Sequence, residues 1–271
     1  MAHMAHYRQA HPMPFVITHW INLVAMIFLI LTGFYIHYPL FGGAMSMARG
    51  LHLFMGAVVL VNCAVRIVLA FFIKSAPAPG TRELVSDYKT WLPQRDNKHQ
   101  LWAWISYYLF LRRDHPIAAK LGVPQKIVYL LIPVMIFFTG YTGLCLWGPT
   151  ASWPIFAAGM EALGGPMTVR IIHYFMMWAF LVFMCIHVYL SLIEGVSPAS
   201  LIFFWKETPG LVYDPKTMNI VGFDGMGQEP DCGQTFKGGQ DGADAADERA
   251  AAAKVLGDSE VPEASGPDTR V

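Results

Sequence analysis

The sequence predicts an all-α integral membrane protein: a four-transmembrane-helix bundle with a cytoplasmic interfacial helix and a disordered C-terminal tail. Three observations carry this. Apolar residues make up 55% of the 271 and charged residues only 14%, against about 25% charged in a soluble domain, and mean hydropathy is +0.41. Four apolar runs reach the roughly 20 residues that a helix needs to cross a hydrocarbon core of about 30 Å. From Asp224 to Val271 the chain holds eleven acids against four bases, and such a composition buries too little apolar surface to offset its ordering entropy.

The elements follow in order. Residues 1–13 form a cytoplasmic leader, which the sequence gives no reason to order. The spans cover about 14–36, 51–73, 127–147 and 171–193, and together make one domain over 14–193. The first run is long and lacks a small-residue cleavage site, so it reads as a retained span rather than a signal peptide. A loop over 74–126 opens with the turn-rich Ser75-Ala-Pro-Ala-Pro-Gly. Within it, His99 to Leu111 is too short to span and rich in Trp and Tyr, which predicts a helix at the membrane interface or packed on the bundle. Ser152 to Pro166 reads as a short re-entrant or surface loop. Residues 194–223 are a cytoplasmic extension, and 224–271 are the acidic tail.

Charge sets the orientation. The loop from Lys74 to Lys120 carries eight Lys/Arg, whereas the two connections on the other side carry only Arg49 and Arg170. The positive-inside rule places the loop and both termini in the cytoplasm, as expected of a multi-pass protein of a bacterial inner membrane. Lys plus Arg (19) equals Asp plus Glu (19), which leaves no basic face for nucleic acid. Cys63, Cys145, Cys185 and Cys232 have no close spacing; iron–sulfur, structural zinc and covalent c-type haem sites are not expected.

Ten histidines occur, four of them within spans: His19, His52, His173 and His187. An ionisable group inside a membrane helix marks function by default. His173 and His187 are 14 residues apart, nearly four turns, so they share a face at depths about 21 Å apart. Span direction puts His52 at the outer depth with His173, and His19 at the inner depth with His187. Each depth then offers two histidines and no carboxylate. Zinc favours four close ligands, whereas a haem supplies four equatorial nitrogens and needs only an axial pair. The sequence therefore predicts two haem b groups, the outer held by His52 and His173 and the inner by His19 and His187. Gly33, Gly56, Gly140 and Gly143 cluster near the outer depth, where a planar ligand needs room. Arg49 and Arg170 each precede an outer histidine by three residues and share its face, one turn outside, where haem propionates commonly point. Arg66 lies 14 residues after His52 and faces the inner depth. An inner-haem propionate, a carbonyl cage or snorkelling to the surface would each satisfy it. No catalytic residue is assigned, and no metal beyond haem iron. A histidine-bearing transporter would call for intramembrane carboxylates and broken helices, which the spans lack.

Thr18 to Gly33 (THWINLVAMIFLILTG), Arg49 to Arg66 (RGLHLFMGAVVLVNCAVR), Tyr107 to Arg113 (YYLFLRR) and His173 to Ser191 (HYFMMWAFLVFMCIHVYLS) resemble the b-type dihaem cytochrome subunits of membrane-bound nickel–iron hydrogenases. That family shares its four-helix plan with formate dehydrogenase gamma subunits and some thiosulfate reductase anchors. The resemblance implies a membrane anchor that relays electrons between a periplasmic-side catalytic partner and the quinone pool. The partner would be the iron–sulfur and catalytic subunits of a hydrogenase or formate dehydrogenase complex. Quinone, menaquinone or ubiquinone, would be the substrate near the inner haem, with Asn22, Gln125 and Tyr129 lining its pocket. A gamma-type subunit of another molybdoenzyme and a stand-alone quinol-oxidising cytochrome b are the alternatives.

Overall fold

The computed structural model describes residues 4–92, 100–112, 120–193, 196–217, 219–224 and 236–237. Its helices are α1 (Met13–His37), α2 (Met45–Phe72), α3 (Tyr88–Trp91), α4 (Leu101–Tyr108), α5 (Val123–Leu146), α6 (Gly148–Ala151), α7 (Pro154–Ala162), α8 (Pro166–Ile193) and α9 (Val196–Phe204). Short strands β1 (Lys74–Ser75) and β2 (Val85–Ser86) pair antiparallel in the loop, and β3 (Gly210–Asp214), β4 (Asn219–Asp224) and β5 (Phe236–Lys237) form an antiparallel sheet after α9.

Among the described residues four helices, α1, α2, α5 and α8, are long and apolar enough to cross a membrane. α1 packs on α2 and α8, and α5 packs on the same two, so α2 and α8 face one another diagonally across the bundle. We call the end that carries the start of α1 the inner end. Leu31, Phe54, Val134 and Phe175 are over 60% exposed on the bundle surface, as lipid-facing side chains are in a protein whose solvent is hydrocarbon. The core at mid-height is Ala25, Val59, Cys63, Ile136 and Phe180. Phe180 is seven residues from both His173 and His187, so this apolar layer separates the two histidine depths.

Three segments differ from the sequence expectation. The leader is held in place: Ala5 is fully buried and Tyr7 nearly so, with bridges from Met4 to Leu211 and His6 to Thr208. Its partners lie about 200 residues away, where local pattern cannot reveal them. The outer connection is helical, not a loop, over Pro154–Ala162, where Pro154 sets the first turn and the Tyr141 hydroxyl donates to the Ile155 carbonyl. Of the expected disordered tail, Asp224 closes β4 and Phe236–Lys237 pair with it; the rest lies outside the described residues. α4 is laid against the bundle through the buried Trp104 and Tyr108. Trp104 stacks on the open face of Gly122.

Candidate haem sites

At the outer end, the ring centres of His52 on α2 and His173 on α8 are 6.2 Å apart. Each ring is seated by a Thr-Gly pair on a flanking helix. Thr32 Oγ1 lies 2.9 Å from His52 Nδ1, and a Cβ on Gly33 would stand 3.6 Å from the same ring. Thr142 Oγ1 lies 2.9 Å from His173 Nδ1, and a Cβ on Gly143 would stand 3.2 Å from that ring. The two threonines are buried. They were missed in the sequence because a lone threonine in an apolar helix is unremarkable; the repeated Thr-Gly dipeptide was the available signal. Gly140 instead abuts Leu60, and Gly56 faces open space.

At the inner end, the ring centres of His19 on α1 and His187 on α8 are 6.1 Å apart. His19 Nδ1 is buried with no hydrogen-bond partner among the described residues.

Both spacings suit an axial pair. An imidazole nitrogen binds a transition metal at about 2.0–2.1 Å and its ring centre lies roughly 1.1 Å further on, so two rings on opposite sides of one ion sit about 6.3 Å apart. With Nδ1 of His52 and His173 engaged by threonine, Nε2 is the nitrogen each can offer. Among the described residues, no cluster of three or more His, Cys, Asp or Glu forms a conventional metal site. A pair of histidines fits a metal that brings its own equatorial ligands.

Residues 10–203 match the family described as prokaryotic cytochrome b561. The chain belongs to that family. It is also 25% identical, over 204 residues, to the probable Ni/Fe-hydrogenase B-type cytochrome subunit of Rhizobium leguminosarum bv. viciae, covering 68% of this chain and 80% of that protein. This membrane cytochrome b is therefore an electron-transfer protein, and its cofactor is haem b.

The other candidate residues of this cytochrome fall into separate groups. Arg49 and Arg170 are exposed at the outer ends of their helices and make no ion pair among the described residues. Asn22 accepts from Asn62 Nδ2 at 2.7 Å, and that same amide also donates to the Thr18 carbonyl at 2.8 Å, which joins α1 to α2. Gln125 caps α5 by accepting from the Gly122 amide at 2.9 Å and donates to the Tyr108 hydroxyl at 3.2 Å. Tyr129 instead meets Arg66. The structure does not bring Asn22, Gln125 and Tyr129 into one hydrogen-bonded cluster.

Arg66 has a protein counter-charge that the sequence did not reveal. Its Nη2 donates to Asp87 Oδ2 at 2.7 Å, and its guanidinium lies 3.6 Å over the Phe15 ring. Asp87 is fully buried and also accepts from Ser75 at 2.6 Å, Lys120 at 2.8 Å and Trp91 at 3.1 Å. Burial pushes the Asp87 carboxyl up, but Lys120 and Arg66 beside it outweigh that and hold it at about 2. Burial likewise pulls the Lys120 ammonium down, against the support of Asp87. His11, half-buried near Lys120, is lowered to about 3 by desolvation first and by Lys120 second. Two cations against one carboxylate leave a positive charge over, and Arg66 Nη1 is buried with no acceptor among the described residues.

Proposed function

We propose that this cytochrome binds two haem b groups and relays electrons between a periplasmic-side nickel–iron hydrogenase and the membrane quinone pool. The carrying observation is the two histidine pairs, 6.2 and 6.1 Å between ring centres, neither joined by a carboxylate or thiolate into a larger metal-binding cluster among the described residues. His52 and His173 would hold the outer haem, and His19 and His187 the inner one. Haem b bound there supplies a one-electron carrier at each depth. The surplus positive charge at Arg66, whose Nη1 has no acceptor among the described residues, supports a propionate contact at the inner site, and Arg49 and Arg170, one turn outside the outer histidines, would meet the propionates of the outer one.

That the Rhizobium relative is a probable Ni/Fe-hydrogenase B-type cytochrome subunit favours a hydrogenase as partner, its iron–sulfur subunit docking on the outer face. A gamma-type role with formate dehydrogenase is the second reading. The lysine and arginine excess of loop 74–120 supports cytoplasmic termini, and hence quinone chemistry near the inner pair. Tyr129, Asn22 and Gln125, among the polar groups toward that end, remain the candidates for lining a quinone pocket.

Pyridine haemochrome analysis of the purified protein tests the haem count. Two haems per chain are expected. His52→Ala or His173→Ala should remove the outer haem, and His19→Ala or His187→Ala the inner. A single haem in the unaltered protein would refute the reading. Co-purification of hydrogenase subunits from solubilised membranes tests the partner; recovery of a molybdoenzyme instead would favour the second reading.

A further inference from the structure

We infer that Thr32 and Thr142 are positioning residues for the outer histidine pair, fixing which nitrogen of each ring faces the iron and holding its potential down. The inference rests on the proposed axial role of His52 and His173.

A threonine hydroxyl has one proton to give. Thr32 Oγ1 is 2.6 Å from the Phe28 carbonyl, one turn back on its own helix, and Thr142 Oγ1 is 2.9 Å from the Thr139 carbonyl. This back-bonding is what a threonine inside a helix ordinarily does, and it commits the proton. What remains at each oxygen is a lone pair, 2.9 Å from Nδ1 of the histidine. The imidazole must then donate its Nδ1 proton. A neutral ring protonated at Nδ1 carries its lone pair on Nε2, the nitrogen left for a ligand. Both hydroxyls are in hydrocarbon-depth helices and buried, so water cannot take their place without cost.

The arrangement is repeated on the two sides. Thr32 and Gly33 come from α1 to meet a histidine of α2, and Thr142 and Gly143 come from α5 to meet a histidine of α8. Neither threonine shares a helix with its histidine. The rings are thus oriented by the packing of all four helices, not by the rotamer preferences of one. An acceptor on Nδ1–H makes the imidazole a stronger donor through Nε2. Stronger donation favours the ferric over the ferrous iron, which lowers the potential. Among the described residues His19 Nδ1 has no such acceptor, so the inner site is an internal control.

The test uses the intact complex, or the full chain purified from membranes, as Thr32→Val, Thr142→Val, Thr32→Ser and Thr142→Ser. Haem content is measured first, then each haem's potential by optical redox titration. The wave absent from His52→Ala identifies the outer haem. Valine keeps the shape and removes the hydroxyl acceptor, leaving each ring the neighbouring carbonyl, of Leu29 for His52 and of Thr139 for His173; serine restores the hydroxyl. Each valine variant should shift the outer ferric-to-ferrous equilibrium toward ferrous on the order of tenfold, which for a one-electron couple is about 59 mV upward. The inner wave should stay in place, and the serine variants should titrate as the unaltered protein. Loss of the outer haem in the valine variants with retention in the serine ones would equally support the hydroxyl's role. Two haems with an unmoved outer wave in both valine variants would overturn it, as would equal loss of haem in valine and serine variants. An unaltered protein with no haem at this pair would refute the haem reading itself.

Discussion

Arg66, on the second transmembrane helix, donates to Asp87 of the following loop at 2.7 Å, and Lys120, from the far end of that loop, reaches the same carboxylate at 2.8 Å. One buried acid thus ties both ends of a loop to the inner end of the bundle. Breaking a buried pair by removing one partner strands the remaining charge, at a cost of about 3–5 kcal/mol. Asp87→Asn should therefore lower thermal stability in detergent and expose loop 74–91 to protease. Changing Lys120 to Met in the same chain should recover part of the loss, because one stranded cation is removed.

The same carboxylate sets an acid limit. Its pKa in the folded protein, about 2, lies below the ordinary aspartate value of about 3.9. A depressed carboxylate contributes stability that is complete above the ordinary value and lost as pH falls through the folded one. The unaltered protein should lose stability between about pH 4 and pH 2 through this group, and Asp87→Asn should lack that part of the step. Thermal unfolding of both proteins across that range checks it; parallel acid curves would disprove the assignment.

Gly80 has φ of +74° and its amide donates to the Ala5 carbonyl at 2.7 Å, while its own carbonyl accepts from Tyr213 at 2.7 Å. A Cβ there would stand 2.6 Å from the Leu211 carbonyl oxygen. Gly80→Ala should cost on the order of 1–3 kcal/mol in backbone strain alone, and loosen the leader from β3. Trypsin should then cut after Arg8 in inside-out vesicles faster than in the unaltered protein. Unchanged cleavage would show that the leader is held elsewhere, for example by Tyr7, which donates to Asp224 at 2.8 Å.

The four long helices were legible in the sequence because a lipid-facing helix must be apolar along its whole length, and the histidines were legible because they interrupt that pattern. Helix ends were less so. α2 begins at Met45, six residues before the apolar run that marks its span, because Met-Ser-Met-Ala-Arg is a good helix former without being uniformly apolar. Asp87 as the partner of Arg66 could not be read, since it lies 21 residues away in a loop with other acids and bases nearby. The threonines on His52 and His173 leave only the repeated Thr-Gly dipeptide as a trace: its meaning depends on which helices pack together, and sequence pattern does not fix neighbours in a bundle. The leader's seat on β3 depends likewise on a pairing across nearly the whole chain.

Arg49 and Arg170 precede their histidines by one turn at the outer ends of α2 and α8. A positive charge near an iron centre favours its reduced form, which carries one more negative charge. Arg49→Gln and Arg170→Gln should each lower the outer haem's potential, opposite in sign to the shift expected of the threonine variants. Redox titration in membranes decides; unchanged waves in both variants would return the arginines to the role of interface anchors.

Turnover with quinone reduced on the inner side should be electrogenic. The histidine depths on α8 are 14 residues apart, a rise of about 21 Å, which is about two-thirds of a core of about 30 Å. A full charge crossing the membrane is worth about 2.3 kcal/mol per 100 mV, so moving one electron over two-thirds of the core corresponds to roughly 1.5 kcal/mol per 100 mV. Electrons entering outside and protons taken up inside would both charge the membrane in the same sense, inside negative. Reconstitution of the intact complex in sealed vesicles with a voltage-sensitive dye reads this directly. A potential that develops with quinone reduction and collapses on adding an ionophore is the expected result. Full-rate quinone reduction without a potential, in vesicles shown to be tight, would place donor and quinone on the same side. The inner pair would then have no role in transmembrane transfer, and His19→Ala should leave quinone reduction intact.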